Sequence, residues 1–215
     1  MLKNLVIVGG GGQANVIVDA VDKASYTNIF IEDPFICENT RYGIDVINDS
    51  SNYQPSSLEF VIAIGDNYKR SLILQSLNNR FHNPKCATII HPNANVSERA
   101  KIGAGTVICS GAFVGPETKV GSHVILNTNC SVDHDCVIND FSSIGPNATL
   151  GGNVTIGVRT TISISATISH GVEIGDDNVI GAGSLVLEKI STNNSVWLGT
   201  PAHLHRKRKK NERYL

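Results

Sequence analysis

At 215 residues, 41% hydrophobic and 17% charged, the chain is long enough to bury a real core as one large domain or two modest ones, and is neither disordered nor fibrous. Six of its 18 basic residues lie at 206–210 and 213, opposed there by Glu212 alone; the chain before residue 203 holds 12 basic against 18 acidic residues, a net of −6. This argues against a nucleic-acid-binding body and confines any basic patch to a tail.

No apolar run approaches the roughly 20 residues of a membrane span. Met1 leads almost directly into Leu5-Val6-Ile7-Val8 and a glycine run, which predicts no signal peptide. Five cysteines without CxxC spacing fit a reducing cytoplasm with buried thiols, and neither a disulfide frame nor a zinc site.

Residues 5–8 read as a buried strand, Gly9-Gly10-Gly11-Gly12 as a tight loop, and 13–23 as a helix with Val16, Ile17 and Val21 on one face. A second strand at 28–31 ends in Glu32-Asp33, and a third at 58–64 runs into Gly65-Asp66-Asn67 and a helix reaching about Arg80. The pattern predicts a small βαβαβ, Rossmann-like domain over 1–84. A glycine loop between strand and helix turns backbone N–H groups toward an anion, and acids at the end of the next strand suit a ribose or base edge. The loop does not reproduce GxGxxG, which argues against a nicotinamide cofactor; a tight turn in a structural domain is the plain alternative.

Pro84 and Pro92 bracket a short strand at the boundary. From Val96 to Val186 every sixth residue is aliphatic, sixteen in succession without an insertion. A small or medium side chain stands two residues before many of these positions, such as Ala112, Cys130 and Ser142. A turn former often stands one after, such as Gly103, Gly115, Gly121 and Gly157. The spacing predicts short strands separated by bends tolerant of positive φ, placed at these turn formers. Three strands close an 18-residue triangular coil, in which residues i and i+18 stack about 4.8 Å apart. This is a hexapeptide left-handed parallel β-helix, assigned to 85–202, with a basic tail over 203–215. A sandwich of short strands would show variable loops instead of one fixed period.

The hexad phase sorts the histidines. His134 follows Val132 by two residues and projects outward, and its neighbour Asp135 can orient the ring and raise its basicity. His170, two coils away on the same face at about 9.6 Å, lacks an acidic neighbour and is the weaker candidate. His91 and His123 read as surface or boundary residues, and His203 and His205 as part of the tail.

Over essentially its whole length the chain resembles the bacterial sugar-nucleotide acetyltransferases, a group that includes N-acetyltransferases of 4-amino-4,6-dideoxy sugars and sialic acid O-acetyltransferases. The resemblance is carried by Val6-Ile7-Val8-Gly9-Gly10-Gly11-Gly12, Ile62-Ala63-Ile64-Gly65-Asp66-Asn67, Leu126-Asn127-Thr128, Val132-Asp133-His134-Asp135-Cys136, Gly151-Gly152-Asn153-Val154-Thr155-Ile156-Gly157 and Leu198-Gly199-Thr200-Pro201-Ala202. It implies transfer of acetyl from acetyl-CoA to a nucleotide-linked amino sugar by a cytoplasmic homotrimer with active sites between neighbouring β-helices, and no metal. His134 matches the general base and Asp135 its supporting acid. Gly11, Gly12, Gln13, Glu32, Asp33 and Gly65 match nucleotide-sugar contacts; Ser143, Ile164 and Ala182 match acetyl-CoA contacts. Stacking adds Gly152, 18 residues after His134, whose N–H is placed to hold the thioester carbonyl as charge develops.

Two departures stand out: the family usually has histidine at Gln13 and often at Ser143. The alternatives are O-acetylation of a sialic acid or related sugar and, in another class, a non-catalytic β-helix scaffold of the carbonic-anhydrase-like kind, whose zinc-binding histidine triad is missing here.

Overall fold

Fully buried Leu5, Val6 and Ile7 form the centre of strand β1 (Lys3–Val8) in a computed structural model that describes residues 3–209 and 212. Helix α1 (Gly12–Ala20) follows the glycine loop, and β2 (Tyr26–Glu32) returns parallel to β1. A hairpin of β3 (Thr40–Arg41) and β4 (Ile44–Ile47) extends the sheet beyond β2. β5 (Leu58–Ile62) enters on the other side of β1 and leads into α2 (Asn67–Phe81).

The order β3-β4-β2-β1-β5 changes direction at β1, so the loops after β1 and β5 open a crevice there. The expected βαβαβ order is thus modified: no α-helix joins β2 to β5. The chain after α2 returns beside β5 only as a bridge between Phe60 and Cys86. The hairpin turns at Tyr42-Gly43, both at positive φ, a weaker signal than Asn-Gly. α1 stops three residues short of its expected end because Val21 is already extended and Asp22 caps a new short turn.

From Ile89 to Val186 a two-residue strand recurs every six residues once the coils begin, and each pairs in parallel with the strands 18 residues away. The three resulting sheets are the faces of a prism. The first face stacks Ile89–Ile90, Val107–Ile108, Ile125–Leu126, Ser143–Ile144, Thr161–Ile162 and Val179–Ile180; the second includes Phe113–Val114, Ser131–Val132 and Thr149–Leu150; the third includes Lys119–Val120, Val137–Ile138 and Thr155–Ile156. The aliphatic repeat fills the interior, and only Val96 and Ile102 at the open first coil are half-buried. Where the small position is Thr or Ser, its hydroxyl donates to a carbonyl of the next coil, as from Thr118 to Asp133 at 2.6 Å and from Ser142 to Gly157 at 2.7 Å.

The bends differ from expectation. From Ile102 to Ile180 positive φ falls three residues after the aliphatic position, at Glu117, His123, Asn129, Asp135 and their equivalents, and not at the turn formers one residue after it. Glycine at the latter position answers to close approach: a Cβ on Gly103 would lie 2.5 Å from the backbone of Gly121, and one on Gly157 2.4 Å from that of Gly175. Stacked corners, rather than φ, select glycine there.

The two folded regions share side chains. Ala14, Ile17 and Val21 pack in one buried cluster with Ala87, Ile89, Val107 and Cys109 of the first face. From α2, fully buried Arg70 donates to the carbonyls of His123 at 2.8 Å and Phe141 at 2.8 Å, while the Asn67 amide donates to that of Arg159 at 3.0 Å. One turn of helix thereby clamps the corners of three successive coils.

His123, read as a surface or boundary residue, lies at the boundary, where Arg70 of α2 donates to its carbonyl, and is buried with its ring stacked on Phe141 at 5.2 Å; burial, aided by the Arg70 charge, holds its pKa down at about 4. At the far end Ser195–Gly199 joins the first face beside Val179–Ile180, and Ala202–Lys207 pairs back on it antiparallel. The expected free tail is therefore a strand through Lys207. Arg206 pairs with Glu212 at 2.6 Å and Arg208 donates to the Asp177 carbonyl at 3.1 Å. Lys210 and Arg213 lie outside the described residues.

Candidate active site

The corner between the second and third faces carries residues 133–136. The Asp133 carboxylate caps the His134 N–H at 2.7 Å, and the left-handed backbone of Asp135 (φ 57°) turns its side chain back onto His134, with Oδ2 2.7 Å from Nδ1. That hydrogen bond, with the charges of Asp133 and Asp135, raises the His134 pKa above its ordinary value although the ring is exposed. A proton held at Nδ1 leaves the Nε2 lone pair free.

Nε2 lies over Gly152, one coil on: a Cβ at Gly152 would stand 2.5 Å from it. The N–H at this corner position is left over by the strand ladder. A side chain caps it at some coils, Asp140 at Ser122 and Asp176 at Val158; among the described residues nothing caps the N–H of Gly152, nor that of Thr128, Ile164 or His170 at the same phase. An uncapped donor thus stands beside the free nitrogen of a carboxylate-oriented histidine.

His170 lies closer than its coil spacing suggests, with ring centroids 6.4 Å apart, because both rings reach across Gly152; it has no carboxylate partner among the described residues. Asp135→Asn removes the carboxylate whose hydrogen bond and charge raise the His134 pKa, leaving at most a neutral acceptor. The neutral imidazole then persists to lower pH, and the acidic limb of kcat/KM is expected to move down while kcat falls. A pH–rate profile superimposable on wild type counts against the pair.

The other predicted residues gather on the opposite side of the chain. A largely apolar groove of about 520 Å³ runs along the first face, lined by Ile125, Asn127, Ser143, Pro146, Ile164, Ala182 and Leu198. A second cavity of about 320 Å³ lies in the crevice of the N-terminal sheet, lined by Gly10, Gly11, Gly12, Gln13, Asp33, Gly65, Asp66 and Lys69. Gln13 and Gly65 line both, and the Gln13 side-chain nitrogen is buried there without a hydrogen-bond partner. Asp33 accepts from the N–H of Gly10 at 2.9 Å and of Phe35 at 3.0 Å, which ties the end of β2 to the glycine loop.

Two expectations change in detail. Glu32 does not reach the cavity. Adjacent strand residues face opposite ways, and its buried carboxylate is held by Arg80 at 2.7 Å and Ser50 at 2.6 Å. Ser143 lines the groove, but its hydroxyl donates to the Asn67 side-chain oxygen at 2.6 Å and is part of the clamp around Arg70. Lys69 and the Asn67–Arg70 pair were not singled out from sequence; the polar i, i+3 pair at the start of α2, in place of an apolar stripe, was the available signal.

In a triangular prism the corner between the second and third faces stands opposite the first face. His134 and Gly152 therefore cannot meet the groove of their own chain. The spacing already carried this: Ser143 follows His134 by nine residues, half of one 18-residue coil.

Burial pushes the Cys109 thiol up to about 11 and Cys130 up to about 12, so neither offers a thiolate. Among the described residues there is no group of three or more His, Cys, Asp or Glu able to hold a metal ion, and no helix long and apolar enough to cross a membrane.

Residues 4–77 match the PglD N-terminal domain family. The chain is 32% identical over 116 residues to UDP-N-acetylbacillosamine N-acetyltransferase of Bacillus subtilis (strain 168), a match spanning 50% of this chain and 51% of that protein, so about half the length of this curated relative is covered. Among solved structures it is similar to the acetyltransferase domain of PglB from Neisseria gonorrhoeae FA1090 in complex with acetyl coenzyme A, with 29% identity, TM-score 0.88, and 95% of this chain and 100% of that one covered. It is also similar to PerB from Caulobacter crescentus in complex with CoA and GDP-perosamine, with 28% identity, TM-score 0.84, and 96% and 99% covered. With a PglD-type N-terminal domain followed by a parallel β-helix, the chain is similar over nearly its full length to these two structures.

Proposed function

We propose that the chain transfers acetyl from acetyl-CoA to the 4-amino group of a nucleotide-linked 4-amino-4,6-dideoxy sugar, at sites shared between neighbouring subunits of a homotrimer. The observation that carries this is the division of the site. The glycine-loop cavity and the apolar groove share Gln13 and Gly65 in their linings, whereas the oriented base lies on the far corner of the prism. A three-fold arrangement lets the corner of one subunit face the groove of the next. The glycine-loop cavity suits a sugar nucleotide, and the long groove lined by Ile164 and Ala182 suits the pantetheine arm of acetyl-CoA.

The neutral amine attacks the thioester carbon. A C–N bond forms, and the carbonyl oxygen takes the negative charge and accepts from the Gly152 N–H. Nε2 of His134 removes the excess proton from nitrogen. Collapse of the adduct breaks the C–S bond, and the coenzyme leaves as thiolate, which takes up the proton. No covalent enzyme intermediate is needed, in keeping with the burial of Cys109, Cys130 and Cys136; Cys37, expected buried, is exposed and Cys86 half-buried.

UDP-, dTDP- and GDP-linked 4-amino sugars incubated with acetyl-CoA, with free thiol as the readout, are expected to give turnover with at least one; turnover only with hydroxyl acceptors overturns the amine assignment. The shared site has its own test. His134→Ala, which lacks the base, and Ala182→Trp, which fills the groove, are each expected to be inactive. After co-refolding, random assortment pairs an intact corner with an intact groove at about one site in four. Mixed chains without recovered activity place the whole site in one chain.

A further inference from the structure

We propose that His123 is a positioning residue that holds α2 against the β-helix only while its ring is neutral, so that its protonation releases the clamp and with it one wall of each cavity. His123 has no role in the acetyl transfer proposed above and acts on the site through α2.

The ring belongs to a column of side chains at the corner between the third and first faces. Gly105, His123, Phe141, Arg159 and Asp177 follow one another at intervals of one coil, all at positive φ. On one side Phe141 stacks on the His123 ring with the two planes 6° apart. On the other the imidazole lies against Gly105, where a Cβ would stand 2.4 Å from Nδ1. His123 is 4% exposed, and Nδ1 is buried without a hydrogen-bond partner.

Helix α2 grips this column through the backbone. Arg70 donates from Nε to the His123 carbonyl and from Nη2 to the Phe141 carbonyl, each at 2.8 Å, so the guanidinium lies beside the two stacked rings. The charged groups that face the imidazole are Arg70 from α2 and Asp140 from the next coil. Burial and the Arg70 charge lower the His123 pKa and outweigh Asp140, whose carboxylate also accepts the Ser122 N–H at 2.7 Å. An imidazolium carries N–H at both ring nitrogens. Here Nδ1–H would have no acceptor, and a second positive charge would stand beside a buried guanidinium. Release of Arg70 reaches the site directly. Gly65, whose carbonyl accepts from Arg70, lines both cavities, and Asn67, which Arg70 holds at 2.8 Å, also accepts from Ser143 in the groove.

The His123 pKa is about 4 in the folded chain against 6.5 for a free histidine, so the released state takes up the proton first. The stabilisation is therefore full above pH 6.5 and is lost as the pH falls toward 4. At pH 5 these values give a fall of about 30-fold in the ratio of held to released chain, equivalent to about 4–8 °C in Tm for a chain of this size.

Thermal melts of the full chain from pH 7.5 to pH 5 test this, together with hydrogen exchange of the α2 amides at both pH values, corrected for the intrinsic exchange rate. His123→Phe keeps an aromatic ring and removes the titrating nitrogens; phenylalanine already occupies the same corner position one coil on, at φ 60°. His123→Asn, the residue at this phase at 129, 147 and 153, replaces it if the larger ring prevents folding. Between pH 7.5 and pH 5 wild type is expected to lose about 4–8 °C more in Tm than the variant. Its α2 amides are expected to lose about 30-fold in protection at pH 5 relative to those of Ile125–Leu126, and the variant to keep them. Parallel curves of Tm against pH overturn the proposal. So does a wild-type loss of Tm with α2 as protected as the strands, which would make His123 a group of the core with no hold on α2. Neither readout needs turnover, so the result does not depend on which sugar is the acceptor.

Discussion

His134→Ala is expected to lower kcat by roughly 10²–10⁴, the range for loss of a general base, with little change in thermal stability. The ring is exposed and its hydrogen-bond partners are its own neighbours, so the fold loses little when it goes. Gly152→Ala makes a sharper companion. The added methyl would stand 2.5 Å from Nε2, close enough to push the ring aside, while its nearest contacts are with that movable ring and not with backbone. It is expected to melt like wild type and to lose activity on the scale of His134→Ala. His170→Ala, lacking the carboxylate that orients His134, should cost far less. If His170→Ala is the inactive variant and His134→Ala turns over normally, the base has been assigned to the wrong ring.

Arg70→Met should have the largest effect on stability. The guanidinium is 1% exposed and donates to the carbonyls of Ile64, Gly65, His123, Phe141 and Ser142 as well as to the Asn67 side chain. Methionine fills part of the volume but leaves those acceptors buried without a donor, at a cost of about 3 kcal/mol or more. For a chain of this size that corresponds to a fall of about 6–12 °C in Tm. Arg70→Lys should recover only part of it, because one ammonium cannot reach carbonyls on several coils at once. Asn67 accepts from both Arg70 and Ser143, so KM for acetyl-CoA should also rise in Arg70→Met as Ser143 loosens in the groove. A Tm within about 1 °C of wild type would mean that the clamp adds nothing to stability.

The β-helix was legible because its repeat is local. One aliphatic residue in six, held in register from Val96 to Val186, leaves a single way to bury those side chains, and i+18 stacking follows from the period. The same arithmetic turns His134 outward and sets Gly152 beside it, so the proposed catalytic corner is legible in the sequence. The bends were only half legible. Glycine one residue after the aliphatic position suggested positive φ, but its cause is the backbone of the next coil, a contact between residues 18 apart.

Tertiary structure alone decided the rest. Glu32 and Asp33 are both acids at the end of one strand; that Glu32 is spent on Arg80 and Ser50 depends on where α2 and a distant turn come to lie. Ser143 has the phase of a groove residue, yet its hydroxyl is committed to Asn67, 76 residues away. Hexad phase is covalent geometry repeated, and a sequence records it directly. The clamp of Asn67 and Arg70, and the meeting of the two cavities at Gln13 and Gly65, depend on how two separately patterned regions pack, and no period in either region encodes that distance.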